Sequence, residues 1–165
     1  KDLIEIEKFF KKHKKIIIKP IHGYGGNDIN LISGKLNLLK IKQILKKHGH
    51  IMCQKFLNKI KFGDKRVFII NGKVCGAISR VPKSGSILSN MSKGAKPKIA
   101  FLSNKELKVS NIIAKKIKKD GIYFAGIDFI DGKLNGDINV TSPTGIKTYF
   151  DLSQINLAKT FWKGL

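Results

Sequence analysis

Asp128 is the one acid in the apolar run Tyr123–Ile130. An acid inside an apolar strand is costly to bury unless a cation or hydrogen-bond donors compensate it. Asp137 and Asn139 stand two apart in the segment that follows, so a strand there places both on one face. If the two segments pair, three oxygen-bearing side chains converge, with no thiol or imidazole among them. Hard oxygen ligands of low total charge suit Mg²⁺ shared with substrate phosphates. The plainer alternative is an ordinary polar sheet face paired with lysines.

A second candidate group is the run Lys19-Pro20-Ile21-His22-Gly23-Tyr24-Gly25-Gly26. Backbone N–H groups exposed at Gly23, Gly25 and Gly26 can wrap phosphate oxygens, and Lys19 can pair with an anion. No GK[ST] and no following helix are present, so this is not a strand-to-helix phosphate loop. A glycine-rich hairpin tip without a ligand is the competing reading. The third group is Arg66 and Arg80, the only arginines in a chain that uses lysine everywhere else. Recognition of carboxylate or phosphate is their functional reading, and a surface ion pair the alternative. His13, His22, His48 and His50 show no ligand spacing and are expected at the surface. Cys53 and Cys75 lack any metal spacing and are expected as buried, reduced thiols.

Positioning these groups requires a framework, and the pattern predicts one. Asp2 with Glu5 reads as a capping box before an amphipathic helix over 2–14, with Leu3, Ile6 and Phe10 on one face. Ile16–Lys19 and Ile29–Ile32 read as strands flanking the glycine loop. A second helix spans Leu38–His48 and closes at Gly49. Residues 51–57 form a strand; 66–70 and 73–80 form a hairpin across Asn71-Gly72, which suits a type I′ turn. Residues 82–98 are a long polar loop, and a loop of that length is usually functional. Ser103 with Glu106 opens a third helix that ends near Gly121. Tyr123–Ile130 and Lys133–Val140 read as a hairpin, and a last helix as 153–162. The expected class is α+β, with mostly antiparallel hairpins and helices stacked on them.

Composition narrows the function classes. The 165 residues are 42% hydrophobic and 27% charged, the balance of a globular chain with a core. No apolar run approaches the length of a membrane span, and no signal segment opens the sequence. A cytoplasmic location with no membrane partner is therefore the expectation. With Lys1 in place of Met, the expectation is a fragment or an excised domain. The net charge of +22 would attract polyanions. It is nearly all lysine, spread over every helix and loop, without the arginine forks or aromatic interleaving of a nucleic-acid reader. The expectation is dispersed, solvated lysine and no specific nucleic-acid partner.

The runs Ile18–Gly26, Gly63-Asp64-Lys65-Arg66-Val67, Gly126-Ile127-Asp128 and Asp137-Ile138-Asn139-Val140-Thr141-Ser142-Pro143-Thr144-Gly145 are together very similar to bacterial glutathione synthetases. They occur in that family's order and cover nearly the whole chain. The resemblance implies an ATP-grasp fold, in which two α+β lobes (here about 1–57 and 58–165) clasp ATP. It makes Lys19 the lysine on the nucleotide phosphates and Gly23, Gly25 and Gly26 the phosphate cover. Gln54, Phe56 and Leu57 resemble the segment that contacts adenine through its backbone, and Asp64 the ribose contact. Asp128, Asp137 and Asn139 match the ligands of Mg²⁺ (or Mn²⁺). Arg66 and Arg80 match substrate and transition-state arginines, and Asn90 with Ser142, Pro143 and Thr144 the contacts to the peptide substrate. The implied reaction joins γ-glutamylcysteine to glycine at the expense of ATP, in a homo-oligomeric parent.

The sequence departs from the family's pattern in three places. Asp137 stands where glutamate is usual, and one extra residue, in the Asn135-Gly136 pair, precedes it. Gly136 at positive φ could bulge the strand and return the shorter carboxylate to the metal. The 82–98 loop carries Ser86-Ile87-Leu88 and Lys96 where further arginines are expected. The family's N-terminal domain does not lie within these 165 residues, and the expectation is that this piece is inactive by itself. Rival readings are another ATP-grasp carboxylate–amine ligase and a nucleotide-binding module without catalysis.

Overall fold

The computed structural model describes residues 2–23 and 25–164; Tyr24 of the glycine loop lies outside that set, as do the side chains of Asn135 and Gly136 and the turn angle expected at Gly136. The chain divides into two compact units, one up to Asn58 and one from Lys59 onward.

The first unit begins with α1 (Leu3–His13), whose N-terminal N–H groups are met by the Asp2 carboxylate, while Glu5 pairs with Lys8 at 2.9 Å. Strands β1 (Lys15–Pro20), β2 (Asn30–Ser33) and β3 (Ile51–Lys55) form an antiparallel sheet in the order β2-β1-β3. Helix α2 (Leu38–His48) lies between β2 and β3 in sequence and is capped by Asn37. Burial alternates strictly along β1, as period-two side chains on a half-covered sheet must. Ile16 and Ile18 are fully buried with Ile6 and Phe10 of α1, Ile41 of α2 and Ile32. The other face carries Ile17 and Lys19, which pair across the ladder with Gln54 and Met52.

The second unit is built on a five-stranded antiparallel sheet, ordered β6-β5-β4-β7-β8. Its strands are β4 (Asp64–Ile70), β5 (Lys73–Val81), β6 (Lys96–Ile99), β7 (Phe124–Ile130) and β8 (Lys133–Asn139), with α3 (Asn104–Lys119) between β6 and β7. Asn71 and Gly72 both have positive φ (48° and 72°), which gives the hairpin turn whose twist matches its strands. Val67, Ile69, Ala77, Ala125, Ile127 and Phe129 face one way and pack on Ala114 and Ile117 of α3. Phe68, Ile70 and Ile78 face the other way and are covered by Tyr149 of α4 (Ile146–Ser153) and Leu157 of α5 (Leu157–Trp162).

Several boundaries differ from the sequence expectation. The polar stretch 82–98 runs into the edge strand β6, whose Lys-Pro-Lys start reads as loop. Proline is tolerated there because an edge position does not require its missing N–H. The expected last helix, 153–162, starts only at Leu157, and Ile146–Ser153 is a separate helix outside that expectation: Gln154 turns into the left-handed region (φ 61°), and Asn156 restarts the chain by accepting from the Lys159 N–H at 2.9 Å. Cys53 and Cys75 are free thiols but only half-buried, and burial pushes both up from the ordinary thiol pKa. His13 and His48 are partly covered, unlike His22 and His50. Among the described residues no helix is long and apolar enough to cross a membrane.

Two packing details generate tests. An ideal Cβ at Gly76 would stand 2.5 Å from the Tyr149 ring, so α4 can seat on β5 only because that side chain is missing. Gly76→Ala should cost about 1–3 kcal/mol in urea unfolding, the range for overpacking a filled core. At the start of α3, one Glu106 oxygen accepts from the Ser103 N–H, the Ser103 hydroxyl and the Lys65 ammonium, all within 2.9 Å. Burial would raise this carboxyl, but Lys65 and Ser103 outweigh it and hold it below its usual range. Its contribution is therefore complete above the unfolded-state value and lost as pH falls through the depressed folded one. Glu106→Gln, which keeps an acceptor but not the charge, should lose about 1–2 kcal/mol at pH 7. That difference should shrink in unfolding curves taken below about pH 4.

Candidate active site

Asp64 and Arg66 lie two apart on β4 and so share one sheet face. Strand register supplies their partners: Arg80 of β5 is opposite Asp64, and Asp128 of β7 is opposite Arg66. All four residues are 4–6% exposed. Arg66 grips Asp128 with two nitrogens, Nε on Oδ1 and Nη2 on Oδ2 at 2.8 Å. Arg80 grips Asp64 in the same way, Nε to Oδ1 at 2.8 Å and Nη2 to Oδ2. The Arg80 Nη2 also reaches Asp128 Oδ2 at 2.9 Å, so the two pairs form one network of alternating charge. The same sheet face continues into Phe68 and Ile70 under α4 and α5, one end charged and the other apolar.

The two carboxylates are not equivalent. Burial raises both, but Asp128 meets two guanidinium groups, which bring it below the ordinary aspartate value. Asp64 meets one guanidinium and feels the charge of Asp128, and burial leaves it above that value. Burial opposes the Arg80 charge, yet Asp64 and Asp128 together raise its pKa. The surface ion pair considered for these arginines is thus replaced by a buried network. Glycine makes the close approach possible: at Gly63 (φ 101°) a Cβ would stand 2.8 Å from the Arg80 carbonyl oxygen.

Beside this network the β7–β8 ladder slips. Ile127 pairs with Ile138 and Phe129 with Leu134, so the ladder shifts register at Asp128, a bulge on β8. Asp137 is exposed and Asn139 half-buried. Asn139 pairs with Gly126, which puts it on the side of the sheet that carries Arg66 and Asp128. Its Oδ1 accepts from the Thr141 and Ser142 N–H groups at 3.2 and 3.0 Å, an Asx turn that folds the chain back. Residues Ser142–Thr144 then pass over the sheet, where Arg66 Nη1 donates to the Thr144 carbonyl at 3.3 Å. A Cβ at Gly126 would sit 3.0 Å from Pro143 and 2.9 Å from the Arg66 side chain. Gly126 therefore permits the stacking of Pro143, Arg66 and β7. Asn90 heads the turn 90–95, its carbonyl accepting from Lys93 at 2.9 Å. Among the described residues no three His, Cys, Asp or Glu side chains gather as a metal cage.

In the first unit, Lys19 and Gln54 occupy the sheet face away from α1 and α2. Gly25 and Gly26 are both left-handed (φ 66° and 76°); the loop's far end is held by Asp28, which takes Lys47 at 3.0 Å. The Phe56 N–H donates to the Lys15 carbonyl at 3.0 Å, and the Lys15 ammonium lies 4.2 Å from the Phe56 ring centroid. Leu57 follows, half-buried.

The sequence profile of the prokaryotic glutathione synthetase ATP-grasp domain matches residues 1–154. The chain belongs to this family. It is 34% identical to the glutathione synthetase of Bradyrhizobium diazoefficiens, over 98% of this chain and 52% of that one. It is 35% identical to that of Rhodopseudomonas palustris, with the same coverage. The chain thus spans about half the length of these curated relatives. Among solved structures, the D-alanine–D-alanine ligase of Bacillus anthracis complexed with ATP superposes with a TM-score of 0.65 at 14% identity, over 99% of this chain and 55% of that one. The ATP-grasp ligase PsnB, complexed with a precursor variant, Mg and ADP, gives 0.65 at 16% identity, over 98% and 49%. At these identities the likeness concerns the fold, which is the ATP-grasp fold.

Within this ATP-grasp chain, the second unit brings Asp64, Arg66, Arg80 and Asp128 into contact and lays Ser142–Thr144 against them. Asn139 shapes that crossing. Asp64, for which the resemblance implies a ribose contact, is 5% exposed and engages Arg80 and Ser89. Ser89 is the participant that sequence reasoning missed: its hydroxyl donates to Asp64 Oδ2 at 2.6 Å. Nothing in the stretch Ser84–Ser92 distinguishes this serine from its polar neighbours. Removing one charge from the network should be severe, because it leaves buried guanidinium groups uncompensated. Asp128→Asn should lower unfolding free energy by about 3–5 kcal/mol, measured by urea denaturation at pH 7.

Proposed function

We propose that the protein containing this chain is a glutathione synthetase, joining γ-glutamylcysteine to glycine with conversion of ATP to ADP and phosphate. The family match over residues 1–154 carries this reading, and the buried arginine network supports it. The cysteinyl carboxylate of γ-glutamylcysteine attacks the γ-phosphorus of ATP, ADP leaves, and an acyl phosphate forms. The amine of glycine then adds to the acyl carbon, loses a proton, and expels phosphate. Each step gathers negative charge on oxygens, which preorganised guanidinium groups stabilise without having to reorient. Arg80, doubly anchored, suits the transferring phosphoryl group; Arg66, which also braces the Thr144 carbonyl, suits the peptide carboxylate. Ser142, Pro143, Thr144 and Asn90 complete the peptide contacts in this reading. No side-chain nucleophile is required.

On the first unit we assign Lys19 and the N–H groups of Gly23, Gly25 and Gly26 to the ATP phosphates, and Gln54, Phe56 and Leu57 to the adenine. Asp128, Asp137 and Asn139 fit a divalent cation chemically: two carboxylates and an amide are hard donors that leave positions for water and phosphate oxygens. They would hold Mg²⁺ (or Mn²⁺), which when bound neutralises phosphate charge. The register shift of the β7–β8 ladder at Asp128 supports this assignment of the shorter Asp137. A cytoplasmic setting supplies the ATP and the reduced thiol peptide such a reaction consumes.

The reading is tested on the whole protein by supplying γ-glutamylcysteine, ATP and each amine in turn and measuring phosphate release. Turnover with glycine is expected; turnover with glutamate or alanine but none with glycine would reassign it to another carboxylate–amine ligase. ATP binding without turnover would favour a nucleotide-binding module. Arg80→Met should lower kcat by about 10²–10³, the usual loss for one preorganised donor.

A further inference from the structure

The loop between β5 and β6, residues 82–95, is closed by short local turns. The Ser86 N–H donates to the Lys83 carbonyl at 2.9 Å, the Leu88 N–H to the Ser86 hydroxyl at 3.0 Å, and the Asn90 carbonyl takes Lys93 and Ala95. Ser89 lies between these turns and points inward. It is 8% exposed, and its hydroxyl donates at 2.6 Å to Asp64 Oδ2, the oxygen that also accepts from Arg80 Nη2. A buried carboxylate oxygen shared in this way transmits any shift of one donor to the other. Without Ser89, that oxygen keeps Arg80 alone in a site with little water, and the loop loses its side-chain bond to the network.

We propose that Ser89 is a positioning residue for Arg80. Its hydroxyl fastens the β5–β6 loop to the carboxylate that aims the guanidinium, so that seating of the loop and aim of the arginine are coupled. Coupling of this kind is reciprocal: a seated loop fixes Arg80, and a fixed Arg80 favours the seated loop. A loop that must be in place before its arginine is aimed would protect a reactive intermediate from water. This catalytic meaning rests on the ligase reading of Arg80; the geometric coupling does not.

The two-arginine composition makes the coupling measurable in the 165-residue chain without ATP or substrate. Arginine Nε–H groups give two NMR signals, one from Arg66 and one from Arg80. In Ser89→Ala, exchange of the Arg80 Nε–H with water should accelerate about tenfold or more, as for loss of a hydrogen bond to a charged group, while Arg66 changes less than about twofold. Backbone amides of 86–90 should accelerate with it. Ser89→Thr, which keeps the hydroxyl, should restore slow exchange at Arg80. An unchanged Arg80 signal in the alanine variant would overturn the proposal. So would equal acceleration of Arg66, which would make Ser89 a general packing residue, or a threonine variant as fast as alanine. None of these outcomes depends on whether the whole protein makes glutathione, so the two readings fail separately.

Discussion

Two guanidinium groups buried in one sheet face cannot stand without two carboxylates beside them, and that requirement organises the second unit. Desolvating a charge costs several kcal/mol, which is recovered only when geometry is good and remaining donors are satisfied. Here the compensation comes from register. The β4–β5 ladder sets Arg80 across from Asp64, and the β4–β7 ladder sets Arg66 across from Asp128. A slip of one residue in either ladder would turn one partner to the α3 side, into the cluster of Val67, Ile69 and Ile127. The network thus depends on the same alternation that builds the core, and the apolar face fixes the charged one.

The rest of the site follows from what this network leaves open. Asp128 is gripped from the β4 side of the sheet by Arg66 and Arg80, and on its other side the β7–β8 ladder shifts register. Past the bulge, Asn139 returns to the ladder and folds the chain across the sheet, where Arg66 meets the Thr144 carbonyl. Gly63 and Gly126 are two positions beside the network where a Cβ would crowd its neighbours. Each neighbours a member of the network, one along β4 and the other two residues from Asp128.

Much of this was legible in the sequence, for physical reasons. Helices with one apolar stripe, strands with period-two burial and the Asn71-Gly72 turn announce themselves locally. Asp128 was conspicuous because an acid in an apolar run demands a partner, and Arg66 and Arg80 because arginine is otherwise unused. What stayed hidden was non-local. Burial of Asp64 depends on ladder register, which no short window contains. Ser89 looks like every other serine in its loop until the loop is folded. The strand Lys96–Ile99 has the composition of a loop and becomes a strand only because β5 offers it an edge. Helix α4 escaped the sequence reading and α5 begins later than expected, because Gln154 carries no obvious break and yet takes the left-handed backbone that ends α4.

The arginines also explain why composition misleads about function here. A net charge of +22 invites a polyanion-binding reading, but lysine and arginine divide the work by solvation. Lysine's compact ammonium is strongly hydrated and belongs on surfaces, where most of this chain's positive charge lies. The two network positions need something else. Each must meet a carboxylate with two parallel bonds, tolerate burial, and still have an N–H left for Asp128 or for the Thr144 carbonyl. An ammonium offers no fork and loses its charge more readily when buried, whereas a guanidinium keeps both. The two places where this chain uses arginine are therefore the two where lysine could not do the same chemistry, and the informative part of the charge is those two residues.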